Sequence, residues 1–127
     1  MSTLRVTNVQ DTAGANSATT AQIYNGIARA WVNFNGTTGL SIRSDFNVAT
    51  LTDQGTGIVD VTFITAMPDA NYAIICSGGR TDSANTVDVY APSNAVPTTT
   101  GFRIGYAFGG SSAPSDTINH VCISIFR

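Results

Sequence analysis

Residues 30–43 read Ala30-Trp31-Val32-Asn33-Phe34-Asn35-Gly36-Thr37-Thr38-Gly39-Leu40-Ser41-Ile42-Arg43. Val32 and Phe34 flank Asn33 with the period of two expected of a strand that covers one face. Asn35-Gly36 is the dipeptide best suited to a tight turn with positive φ. Residues 37–39 lengthen the turn and residues 40–43 return, so the stretch predicts a β-hairpin.

The same period runs outward from it. Residues 46–52 and 58–64 predict a second hairpin around a turn at 53–57. In its return strand Val59, Val61 and Phe63 share one face while Asp60 and Thr62 share the other. Met67-Pro68-Asp69-Ala70 is a turn before a strand over 72–77, and further strands are expected over 86–91, 102–108 and 119–126. In 102–108, Phe102, Ile104, Tyr106 and Phe108 point together; in 119–126, Val121, Ile123 and Ile125 do. Eight short strands at this spacing predict an all-β fold, an antiparallel β-sandwich carrying an N-terminal extended arm. The arm is residues 1–28 and the sandwich residues 29–127. Within the arm, residues 4–9 alternate as a short strand, and 11–20 is a polar linker. Ser17 or Thr19 is placed to cap a short helix over 21–24, ending near Gly26.

If each connection reverses the chain, turns 35–39, 53–57, 78–85 and 109–118 share one end of the sandwich. Turns 44–45, 65–70 and 92–100 then lie at the other end, with the arm and Arg127. Binding usually sits on loops carried by a rigid scaffold. The long loops of the first end therefore supply candidate receptor contacts: Arg80, Asp82, Asn85, Ser111, Ser112 and Asp116. Leu4, Val6, Val9, Ile23, Tyr24 and Trp31 are the candidates for attachment or oligomer contacts.

The composition agrees. The chain of 127 residues is 43% hydrophobic and only 11% charged, with every base an Arg and every acid an Asp. Lys and Glu, both strong helix formers, are absent, whereas Thr, Val and Ile suit a pleated sheet. A net charge of −2 offers no electropositive surface for nucleic acid. The chain shows no apolar span long enough to cross a membrane and no basic-then-apolar leader. A surface of hydroxyls and amides with so little charge points to a protein built into an assembly.

Signals for chemistry are weak. His120 and Cys122 fall on one side of a strand but roughly 7 Å apart, at ~3.4 Å per residue, too far for a nucleophile and its base. Cys76 and Cys122 are free thiols by default; a bridge requires strands 71–77 and 119–126 to pair. Two cysteines and one histidine match no zinc spacing, so neither a metal nor a cofactor is expected. Asp53, Asp82 and Asp116 fall at the loop-rich end, where a glycan-degrading enzyme would need them to converge on a cleft. Asp is a turn former, and the expectation is a protein that is not an enzyme. Tyr90 and Tyr106 are the aromatics nearest the loops that could stack on sugars, and Trp31 is expected to pack on the arm helix or a neighbouring subunit.

One composite of motifs is specific. Ala30-Trp31-Val32-Asn33-Phe34-Asn35-Gly36-Thr37, followed by Ile42-Arg43, Phe46-Asn47-Val48, Thr52-Asp53-Gln54-Gly55-Thr56-Gly57 and Thr65-Ala66-Met67-Pro68-Asp69-Ala70-Asn71-Tyr72, resembles a segment common in bacteriophage tail-fibre proteins. Val9-Gln10-Asp11-Thr12-Ala13-Gly14 resembles the lead-in to that segment, while residues 73–127 carry no such match. The resemblance implies a virion structural protein in a tail fibre or tip. Its expected partners are itself as a homotrimer, other tail or capsid proteins, and a host cell-surface glycan. The alternative is a capsid-decorating or adaptor protein with no receptor-binding role.

Overall fold

Alternation in sequence becomes alternation in burial. Val59, Val61 and Phe63 are buried and their neighbours Asp60 and Thr62 are only partly so. The same holds for Val121, Ile123 and Ile125. Burying each such side chain contributes about 1.5–3 kcal/mol, which is why pairing with a register that hides them is selected over one that exposes them. The computed structural model describes residues 2–14, 17–80, 87–93, 95–109 and 113–127.

The arm holds strands β1 (Asn8–Gln10) and β2 (Ser17–Thr19) and helix α1 (Thr20–Gly26). The sandwich follows with β3 (Ala30–Asn35), β4 (Ser41–Phe46), β5 (Val48–Gly55) and β6 (Ile58–Phe63), then β7 (Ala73–Gly79), β8 (Val87–Tyr90), β9 (Gly101–Phe108) and β10 (His120–Phe126). Two four-stranded antiparallel sheets result, ordered β4-β3-β10-β7 (sheet B) and β5-β6-β9-β8 (sheet C). The all-β sandwich of eight strands is thus the observed fold. Its core joins Val32, Phe34 and the β10 isoleucines of one sheet to Val59, Ile104 and Tyr106 of the other. At the arm end Phe63, Tyr72 and Phe102 form an aromatic cluster with ring centroids 5.7–6.2 Å apart.

Several boundaries differ from expectation. The first strand is not 4–9 but Asn8–Gln10, and the expected linker 11–20 contains its partner β2. A pairing this short rests on backbone groups alone, so Ser-Ala-Thr carries no alternation to announce it. The helix does form, with Thr19 as its cap: the Thr19 hydroxyl accepts from the Gln22 amide, and the Gln22 side chain accepts from the Thr19 amide. The turn expected at 44–45 is absent. β4 runs on to Phe46, and the chain crosses between sheets at Asn47, a non-glycine residue at φ 57°.

The two long sides of the sandwich are unlike. Where β7 meets β8 the sheets close tightly: a Cβ on Gly78 would lie 2.6 Å from Val87 Cγ1, so only glycine fits. On the opposite side all of β4 is exposed, and β5 buries only Val48 fully.

Candidate functional site

Hydrogen bonds between turns define the two ends. At one, the Gly36 amide donates to Ile118 O (3.1 Å), the Tyr106 hydroxyl donates to Gly36 O (2.8 Å), and the Ser115 amide donates to Tyr106 O (3.1 Å). Turns at 36, 57 and 113–118 therefore cluster, as alternation of strand direction requires. At the other end the Met67 amide donates to Thr99 O, the Arg29 amide to Ile125 O, and Arg127 pairs with Asp69.

Of the six candidate loop contacts, Asp82, Asn85, Ser111 and Ser112 lie outside the described residues. Arg80 reaches Thr117 Oγ1 at 3.2 Å and stacks over the Phe108 ring at 5.0 Å. Asp116 accepts from the Gly57 amide, so its carboxylate holds a turn together. Gly57 sits at φ 62°. Tyr106 is not a loop-exposed stacking group. It is buried in the core, where burial and the nearby Asp116 and Asp53 carboxylates raise its phenol to about 12. Tyr90 lies on the outer face of sheet C across from Gly105, with its ring filling the space where a Cβ would stand.

His120 is exposed at the start of β10, 3.4 Å from the Asn33 amide nitrogen. The Asn33 carbonyl oxygen in turn accepts from Arg43, which also donates to Phe34 O and Asn119 O. This network locks the bulge in β4 rather than arming a nucleophile. Strands β7 and β10 do pair, yet Cys76 stands opposite Ile123 and Cys122 opposite Ser77. Directly opposed residues share a face and successive ones do not, so the two thiols point to opposite sides of the sheet. Both are free. Burial pushes the Cys76 thiol up to about 11, an unreactive setting. No cluster of three metal-ligating side chains exists among the described residues.

The pronounced surface feature lies at the arm end. Leu4, Val6, Val9, Ile23, Tyr24 and Trp31, the candidate attachment residues, are all at least one-third exposed. Ile27, Phe46 and Ile64 extend the apolar set, Ile64 being 70% exposed. Tyr24, Ile27, Phe46 and Ile64 line a groove of about 660 Å³ floored by Met67 and Pro68, with the Arg29 guanidinium 3.5 Å above the Tyr24 ring. Register extends the patch across the outer face of sheet B, where Phe46 opposes Trp31, Trp31 opposes Ser124, and Ser124 opposes Ile75. Its place beside the arm helix pointed to Trp31; Phe46 and Ile75 join it only through the register, and Ile64 through the groove.

The outer face of sheet C is different in kind. Asp60 and Arg103, opposed on β6 and β9, form a forked pair: Nε to Oδ1 at 2.6 Å and Nη2 to Oδ2 at 2.8 Å. The Arg103 hydrogen bond holds the Asp60 carboxyl below its usual range against a smaller opposing effect of burial. Beside the pair, the Thr50 and Thr62 hydroxyls meet at 2.6 Å. A groove of about 330 Å³ runs between these strands and the 95–100 loop.

No family model matches the chain, and no curated protein or solved structure matches it significantly.

Proposed function

We propose that the protein is a bacteriophage virion component, a tail-fibre or tip module that assembles as a homotrimer and contributes to attachment to the host surface. The observation that supports this reading is the concentration of exposed apolar side chains at the arm end and across the adjoining face of sheet B. Exposed apolar side chains that gather along one groove and beside it mark a surface that a partner covers. The arm has little reason to be ordered alone: none of the α1 residues is buried, and a helix of seven residues is marginal in water. A neighbouring copy supplies the missing cover. Cyclic assembly sets the arm ends together and turns the opposite loops and the sheet C faces outward. The tail-fibre resemblance of residues 30–72 supports the setting.

The test is sedimentation of the intact protein and of the double variant Trp31→Ser, Phe46→Ser. The wild type is expected at three times the chain mass, and the variant as a folded monomer. A wild-type monomer rejects the assembly. Labelled antibodies on whole particles should mark the tail tip; marking of the head surface rejects host attachment in favour of capsid decoration.

A further inference from the structure

The geometry points to the groove on the outer face of sheet C as a binding site for a neutral pyranose sugar. The inference rests on the attachment reading above and names the ligand chemistry and its location, which is the sheet face rather than the loop tips.

Two strands place the Arg103–Asp60 pair at the groove, and both side chains remain at the surface, 40% and 29% exposed. The fork uses Nε and one Nη2 hydrogen. The remaining Nη hydrogens stay available as donors, and each carboxylate oxygen keeps a lone pair. The pair thus presents donors and acceptors side by side in one plane. Vicinal hydroxyls of a sugar, each both donor and acceptor, match that edge. A phosphate or carboxylate ligand does not, because Asp60 already neutralises the guanidinium, and Asp88 on the same face adds negative charge. Hydroxyls of Thr98 and Thr100, 3.2 Å apart, stand on the loop side. Val96, 79% exposed on the rim, offers an apolar surface to the C–H face of a pyranose ring. A volume of about 330 Å³ lies at the lower limit for small-molecule sites, enough for about one or two rings. Affinity at such an open groove is weak, and three copies on a symmetric tip make it useful through avidity.

The experiment is an amide-shift NMR titration of the isotope-labelled full chain with the methyl glycosides of glucose, galactose, mannose and N-acetylglucosamine, and separately with inorganic phosphate. At least one glycoside is expected to move the signals of Asp60, Thr62, Val96, Thr98 and Arg103, with Kd of about 1–10 mM. Phosphate should leave them in place. Arg103→Lys keeps the charge but loses the planar fork, and should weaken binding at least tenfold with the remaining spectrum intact; Arg80→Ala should change nothing. Silence from all four glycosides, shifts centred on Arg80 and Thr117, a phosphate response without a sugar response, or an unaffected Arg103→Lys each overturns the site. Those failures are separable from failure of the attachment reading, which the chain mass and the particle location test independently.

Discussion

At Asn47 the chain leaves sheet B for sheet C at φ 57°, and its side chain donates to Arg29 O and Thr65 O and accepts from the Thr65 amide. Only an amide can donate and accept in this way, and Asn tolerates the left-handed region better than other non-glycine residues. Asn47→Ala should cost about 2–4 kcal/mol, combining backbone strain with lost hydrogen bonds. Asn47→Gly should cost less, since it keeps the conformation. Urea denaturation of the two variants separates the contributions, and equal losses would mean that φ is not under strain. The tyrosines make a second prediction. Burial raises the Tyr72 and Tyr106 phenols to about 12, above the unfolded value of about 10. A raised folded value means that stability is complete below about pH 10 and is lost as pH rises toward 12. Phenolate absorbance during alkaline titration should show two late groups, and Tyr106→Phe should remove one of them. At the acid side the sign reverses. Arg103 holds Asp60 low, and Arg127 with the Asn71 amide holds Asp69 low, so these surface pairs lose their contribution as pH falls below the usual carboxylate range.

Among the elements, α1 and the edge strand β4 are the least self-sufficient. Thr19→Ala removes the capping box and should cost about 1 kcal/mol of helix stability, visible as lost helical signal in circular dichroism. β4 and β5 form the open side of the sandwich, and free edges invite pairing with other chains. Here Asp45 opposes Val32 and Asp53 opposes Val59, which sets a carboxylate on the inward side of each edge strand. Both strands also carry an irregularity in register. Charges aimed inward at an edge penalise a strand that tries to dock there. The double variant Asp45→Val, Asp53→Val should therefore aggregate on warming at concentrations where the wild type stays clear by light scattering. Clear solutions of that variant would assign the protection to the bulges alone.

For the molecule as a whole, the division between an apolar arm end and a polar remainder predicts separable roles. Removing residues 2–28 should leave the sandwich folded, since among the described residues the first buried one is Ala30 and Arg29 is retained for its bonds to Ile125 and Asn47. The truncated chain should melt cooperatively yet sediment as a monomer. Cooperative melting with an unchanged oligomer would move the interface entirely onto sheet B.

The amino-acid order by itself determined the eight strands of the sandwich, the 30–43 hairpin and a capped helix in the arm, with the cap narrowed to Ser17 or Thr19; it missed β2 and placed a turn at 44–45 where β4 runs on. Each depends on residues close in the chain, alternation and a hydroxyl three positions from an amide. The positive φ expected of Asn35-Gly36 does not occur, because β3 runs on through Asn35 and Gly36 is needed instead for its close approach to Ile118 O and the Tyr106 ring. What the tertiary structure decided is every relation between distant strands. β7 and β8 follow one another yet belong to different sheets, and the β7–β10 register separates Cys76 from Cys122 by a face. Tyr106 reads as loop-proximal but is buried, because the Gly36 turn folds over its hydroxyl. The Arg103–Asp60 groove joins positions 43 residues apart, and the apolar row from Phe46 to Ile75 exists only across four paired strands. A period of two says which face a side chain takes; which strand lies beside it follows from burying all those faces at once, and no local stretch encodes that.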